Sequence, residues 1–191
     1  LVALLSQFRL ECAGPDIGCS VNVVREENWN KKWEDSIGIV DATKRIIIKP
    51  SWKKLRARDK GKLVILIDPK MSFGTGHHET TRLSLILLER HVTPGVRVLD
   101  FGCGSGILAI AAAKLGAQTV LAIDNDAWAV SNAKENVKKN RVEKKVRVLL
   151  GDLTKLPSKR FDVIVANIDF PTIIQSLTDL SHRLKEKGII I

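Results

Sequence analysis

The run Asp100-Phe101-Gly102-Cys103-Gly104-Ser105-Gly106 combines one carboxylate with three alternating glycines. Glycine lacks a Cβ, so such a backbone can turn tightly and let a ligand rest against bare peptide groups. The run follows an apolar, β-branched stretch (Val96, Val98, Leu99) and opens an alanine-rich helical pattern over 106–115. A strand, a glycine turn and a helix N-terminus together suit a nucleotide-like ligand. The spacing is not the dinucleotide fingerprint G-x-G-x-x-G. The third glycine comes one residue early, and Ile107 stands where that fingerprint needs glycine.

Other polar residues fall at expected strand ends. Asp124 lies 22 residues beyond Gly102. A carboxylate there can accept both hydroxyls of a ribose in a charge-assisted pair. With Asn125 and Asp126 it also reads as a turn and helix N-cap. Asp152 suits an adenine amino group, or simply closes the Gly151-Asp152 turn. A further strand ends in Asn167-Ile168-Asp169-Phe170. In open parallel sheets, ligands bind outside the carboxyl ends of the strands. Four coincident polar strand ends therefore point to a nucleoside site.

The elements that must carry these residues follow from periodicity. Strands are expected at 96–100, 119–124, 146–150, 161–167 and 188–191. Helices are expected at 80–90, 106–115, 127–140 and 172–184. The third and fourth of these strands are joined by a short polar turn through Pro157. Alternating β and α with near-continuous apolar strands predicts an α/β fold with a doubly wound, mostly parallel sheet. Before it, strands at 46–49 and 63–68 flank a basic loop (Lys53, Lys54, Arg56, Arg58, Lys60, Lys62). Residues 1–25 read as a short helix over 1–7 with extended segments around 8–12 and 20–24, and 26–35 as a polar, tryptophan-bearing link. The expected organisation is a remnant of an amino-terminal α+β domain (1–25), a linker with a small β segment (26–62), and a ligand-binding domain (63–191) lacking its last strands.

Composition narrows the class. The chain has 191 residues, enough for one full domain with a small appendage. Its 31 Lys and Arg against 21 Asp and Glu give a net charge of +10, which suits an acidic partner or a solvated surface. Cys12, Cys19 and Cys103 form no C-x-x-C pair, which suits a reducing, cytoplasmic setting without zinc or disulfides. Cys103 reads as a small filler in the turn. No apolar run is long enough to span a membrane, and no signal peptide is visible.

The D-x-G-x-G-x-G run resembles the first motif of Rossmann-like methyltransferases that bind S-adenosylmethionine (SAM). Upstream stands Phe73-Gly74-Thr75-Gly76-His77-His78-Glu79-Thr80-Thr81. With the glycine turn and Asn167-Ile168, this segment resembles the PrmA family, methyltransferases of ribosomal protein L11. Glu27-Asn28-Trp29, Trp33 and Lys49-Pro50-Ser51-Trp52 are similar to that family's interdomain segment, so the resemblance covers roughly 26–191. It implies a Rossmann-like methyltransferase fold, SAM as cofactor and S-adenosylhomocysteine as product. It places cofactor contacts on Thr81, Gly102, Asp124 and Asn167, with Phe73, Gly74, Thr75 and Gly76 covering the methionine end. Asp100, Gly104, Gly106 and Asp152 complete the expected cofactor set. His77, Glu79 and Asp169-Phe170 depart from the family pattern.

The chemistry implied is methyl transfer to a lysine or amino-terminal amine of a ribosomal protein. An amine of pKa about 10.4 must first lose a proton, and desolvation helps. Asn167 is the candidate to accept a hydrogen bond from that amine. His78 can relay a proton or simply cap the helix before Thr80. No third ligand accompanies His77 and His78, so no metal is expected. Two alternatives stand. Asn-Ile-Asp-Phe distantly echoes the motif of enzymes that methylate base amines, and Phe170 could stack a flipped base of RNA. A non-catalytic binding module with a methyltransferase fold is the other.

Overall fold

Three consecutive isoleucines, Ile46–Ile48, have branched side chains that favour extended backbone. They form β2 (Ile46–Lys49), the centre of a small sheet. β1 (Val40–Asp41) pairs with it antiparallel and β3 (Leu63–Leu66) parallel. The computed structural model describes residues 37–68, 76, 78–156 and 160–191. The elements expected before residue 36, the loop residues Phe73, Gly74 and Thr75, His77, and the Pro157 turn lie outside them.

From residue 79 the chain alternates. α1 (Glu79–His91) leads to β4 (Arg97–Phe101), α2 (Ile107–Leu115), β5 (Thr119–Asp124) and α3 (Ala127–Lys139). Then come β6 (Val146–Leu150), β7 (Phe161–Val165), α4 (Phe170–His182) and β8 (Leu184–Ile190). The five strands form one parallel sheet in the order β6-β5-β4-β7-β8. The order reverses at β4, so the glycine turn sits at the switch point where open α/β sheets bind ligands.

Strand parity divides the core. Val98, Val120, Ala122, Val146, Val148, Val163 and Val165 face a cluster that also holds α2, Leu85 and Leu88 of α1, and Ile46, Ile48, Ile65 and Ile67. The small sheet thus shares the main core, and residues Ile37–Ile191 form one compact unit. Leu99, Ile123 and Ile164 face the other way, against Leu153, Leu156, Phe161 and Leu180. α2 is buried from Ile107 through Ala113. Its alanines let it lie close against strands on one side and helices on the other.

Of the boundaries that differ from the expected ones, three shift by more than one residue after β6. β7 stops at Val165, so Asn167 lies on the loop beyond the strand. α4 starts at Phe170, because the Asp169 carboxylate caps the Thr172 N–H and Pro171 fits the first turn. β8 begins at Leu184, not 188. It lies last in the order of the described strands, and Lys185 reaches Asp162 at 2.6 Å.

Three of the six cations of the expected basic loop are held in ion pairs. Arg56, Arg58 and Lys62 converge on Asp41, and Arg56 and Lys62 also hold the buried Asp59. The Arg56 guanidinium, with Lys62, keeps the Asp59 carboxyl at about 2. No helix among the described residues is long and apolar enough to cross a membrane.

Candidate active site

The glycine turn is built from left-handed backbone. Gly102, Gly104 and Gly106 have φ of +73°, +52° and +79°, a region that side chains disfavour. Its peptide groups are tied down. The Gly102 and Cys103 N–H groups donate to the Ile123 carbonyl at 2.9 and 3.1 Å, and Gly106 N–H donates to Cys103 at 2.8 Å. A Cβ on Gly102 would stand 2.2 Å from Ile168 Cγ2, so the β7–α4 loop packs directly on bare backbone.

A cavity of about 730 Å³ opens over this turn. It brings together His78, Thr81, Gly102, Gly104, Asp124, Asp152 and Asn167. Asp124 Oδ2 accepts the Gly104 N–H at 2.8 Å and Oδ1 the Asp126 N–H at 3.0 Å. Each oxygen keeps a second lone pair for a ligand hydroxyl. Asp152 caps the short 3-10 turn Leu153–Lys155, accepting from the Thr154 N–H at 2.9 Å and its hydroxyl. Those two Thr154 bonds hold the Asp152 carboxyl below the usual range. Asn167 donates from Nδ2 to Thr81 Oγ1 at 3.2 Å, leaving its amide oxygen as an acceptor. His78 lines the cavity, and its ring also caps α1 at the Thr80 N–H, 3.3 Å away.

Three residues expected to touch cofactor lie elsewhere. Asp100 is 1% exposed and sits beneath the turn, where Oδ2 accepts the Ala109 N–H at 2.8 Å and Oδ1 has no hydrogen-bond partner. Burial, with the Asp124 charge nearby, pushes its carboxyl up to about 7. Gly106 packs against Ala133, and Gly76 against Ile48 and Ile107. Neither lines the cavity. These three support the site's walls. Burial also raises the Cys103 thiol, which lines the cavity as a neutral group.

Other lining residues were not anticipated. Thr172, Ser176 and Asp179 form one polar face of α4, and Asp169 caps that helix. Their spacing of three to four residues along α4 was the available signal. The N-terminal turns of α1, α2 and α4 all contribute to the lining, and helix N-termini favour a negatively charged group. The charged lining residues of known sign are Asp124, Asp152, Asp169 and Asp179, with no Lys or Arg among the described residues.

Residues 2–191 match the family described as Ribosomal protein L11 methyltransferase (PrmA). The chain belongs to the PrmA family. It is 41% identical over 173 residues to the "Ribosomal protein L11 methyltransferase" of Acetivibrio thermocellus, covering 91% of this chain and 55% of that protein. It therefore spans about half the length of that relative. The crystal structure of the ribosomal protein L11 methylase from Lactobacillus delbrueckii subsp. bulgaricus superimposes with a TM-score of 0.74 at 33% identity. That match covers 81% of this chain and 78% of the other. A SAM-dependent methyltransferase from Thiobacillus denitrificans, solved with S-adenosylhomocysteine, matches with a TM-score of 0.50 at 25% identity, over 56% of this chain and 46% of that one. The Rossmann-like methyltransferase fold anticipated from the glycine turn is thus the fold of this PrmA chain.

Proposed function

We propose that this PrmA chain carries the SAM site of a cytoplasmic protein N-methyltransferase acting on lysine or amino-terminal amines of ribosomal protein L11. The carrying observation is the cavity's charge: four carboxylates and, among the described residues, no Lys or Arg, in a chain of net charge +10. Such a lining suits a sulfonium cofactor and a cationic amine acceptor. It repels phosphate.

The described residues fit SAM. Asp124 presents two oxygens with spare lone pairs for the ribose. Asp152 stands at the neighbouring strand end for the adenine amino group. The bare Gly102–Gly104 backbone accommodates close approach. Helix N-termini offer amide groups for an amino-acid carboxylate. When bound, SAM supplies a sulfonium-activated methyl group that passes to an amine nitrogen as the C–S bond breaks, leaving S-adenosylhomocysteine.

The chain's own residues do the rest. Thr81 fixes the Asn167 amide, so that its oxygen can accept a hydrogen bond from the acceptor amine and aim the nitrogen lone pair. The amine arrives protonated. Its proton leaves before transfer, and the half-buried setting of Asn167 assists by disfavouring charge. His78, at the rim, is placed to pass that proton outward.

Full-length protein incubated with radiolabelled SAM, separated ribosomal proteins and ribosomal RNA tests this reading. Label is expected in protein L11 and should survive ribonuclease. Label released by ribonuclease would assign the acceptor to RNA, with Phe170 as a base-stacking group. Absence of label despite SAM binding would leave a binding module.

A further inference from the structure

Helix α3 and its C-cap carry three buried asparagines at intervals of four, Asn132, Asn136 and Asn140, with exposures of 2%, 0% and 7%. An amphipathic helix normally turns such residues to water. Here they form a polar seam inside the protein. Asn140 binds β3 alone on its far side: its Oδ1 accepts the Leu66 N–H at 2.9 Å, and its Nδ2 donates to the Leu66 carbonyl at 2.7 Å. Asn136 does something different. Its Oδ1 accepts the Asp68 N–H at 3.2 Å, and its Nδ2 donates to the Ser105 carbonyl at 2.9 Å. One side chain therefore spans α3, the exit of β3 and the glycine turn.

We propose that Asn136 is a positioning residue of the cofactor cleft, clamping the glycine turn to the exit of β3 through a single amide. The inference rests on the cleft being a SAM site. Ser105 lies between Gly104, whose N–H holds Asp124, and Gly106, which starts α2 against Ala133 of the same helix α3. The Ser105 carbonyl links the turn to α3 through the Asn136 amide. Losing that bond leaves the Ser105–Gly106 peptide held at its N–H by Cys103 but unanchored at its carbonyl, and so relaxes the turn whose Gly104 N–H orients the Asp124 carboxylate. At the other end, Asp68 is independently held by Ser51 and Lys139. Loss of Asn136 therefore loosens the turn more than it loosens β3.

Asn140 supplies the control. It is a buried asparagine at the C-cap of α3, bonded to β3 and to the Asn136 backbone carbonyl, but it does not touch the turn. Full-length wild type, Asn136→Ala and Asn140→Ala are compared by thermal melting without ligand. Their affinity for S-adenosylhomocysteine is measured by calorimetry well below every melting point, and KM for SAM and kcat are measured with the acceptor. Both variants should melt earlier. Only Asn136→Ala should weaken S-adenosylhomocysteine and raise KM for SAM, each about five- to tenfold, with kcat at saturating SAM within about twofold of wild type. Asn136→Asp keeps an acceptor toward Asp68 but sets an oxygen against the Ser105 carbonyl. It should weaken binding at least as much, and serves if the alanine variant does not fold. Wild-type affinity in both Asn136 variants, or equal weakening by Asn140→Ala, would overturn the proposal. A wild-type protein that binds no S-adenosylhomocysteine would overturn the functional reading, and this inference with it.

Discussion

Gly102→Ala tests the turn at its tightest contact. The residue has φ +73°, and an added Cβ would meet Ile168 Cγ2 at 2.2 Å. Carbon atoms in contact prefer about 3.5 Å or more, so Ile168 must retreat by roughly 1.3 Å. Alanine in left-handed backbone costs about 1–2 kcal/mol before any clash. For a chain of this size, each kcal/mol lowers Tm by roughly 2–4 °C, so the backbone cost alone predicts a fall of about 2–8 °C. Ile168 also lines the cavity and follows Asn167. Its displacement should weaken S-adenosylhomocysteine at least about tenfold, or about 1.4 kcal/mol. The two costs separate in a double-mutant cycle. Ile168→Ala removes Cγ2, and the nearest atom left to the new Cβ is Ile168 Cβ at 3.7 Å, an ordinary contact. The pair should therefore couple favourably by about 1 kcal/mol or more in stability, while the backbone cost persists. Melting and calorimetry on the four proteins give both quantities. Additive effects would refute the proposed contact. Wild-type Tm in Gly102→Ala would refute the left-handed turn itself.

Asp124→Ala should weaken S-adenosylhomocysteine at least about tenfold by calorimetry, because a charge-assisted pair is worth on the order of 1.5–3 kcal/mol. It should also lower Tm, since the Gly104 and Asp126 N–H groups lose their acceptor; unchanged affinity would remove Asp124 from the site. Asn167→Ala should lower kcat at saturating SAM more than cofactor affinity, and Thr81→Val should reproduce part of that loss by freeing the amide, with Thr81→Ser restoring it. A pure affinity defect would make Asn167 a binding residue only. Asp100, raised to about 7, binds a proton in the folded state that the unfolded chain releases near 4. Between those values the folded state holds more protons, so its contribution to stability is present below about pH 4 and is lost as pH rises through 7. Asp100→Asn keeps an oxygen for the Ala109 N–H. Its Tm relative to wild type should rise between pH 5 and 8; a pH-independent difference would show that Asp100 is charged throughout.

The glycine turn and the placing of Asp124 at the cavity were legible because backbone geometry and strand-end position constrain residue type directly. Gly102 must be glycine where Ile168 crosses it, and Asp124 ends a strand beside the switch point. Asp100 misled because strand parity, not motif membership, sets its direction. It shares a face with Val98 and points under α2, while Phe101 on the opposite face reaches the cavity. The Asn132–Asn136–Asn140 seam was illegible. Polar residues on a helix are assigned to water unless a partner element is known, and the partners here, Ser105 and Leu66, are 31 and 74 residues away. The start of β8 was missed because Lys185, Glu186 and Lys187 look like a loop, whereas on β8 they face solvent and Asp162.

Charge shows most clearly why the scale of an argument matters. At the scale of the whole chain, +10 favours a polyanion. At the scale of the elements the charge is unevenly placed: Arg56, Arg58 and Lys62 gather round Asp41 and Asp59, and Lys139 pairs with Asp68, which leaves the net charge unchanged but localises it. At the scale of the cavity the sign reverses, with Asp124, Asp152, Asp169 and Asp179 around the place where a methyl group would pass. Fields of exposed charges fade over about 10 Å at ordinary ionic strength, so a distant basic surface does little for a ligand inside the cleft. On the proposed reading, the basic surface draws the protein toward ribosomal particles, while the carboxylates around the cavity favour a cationic amine over a phosphate as the group that enters it.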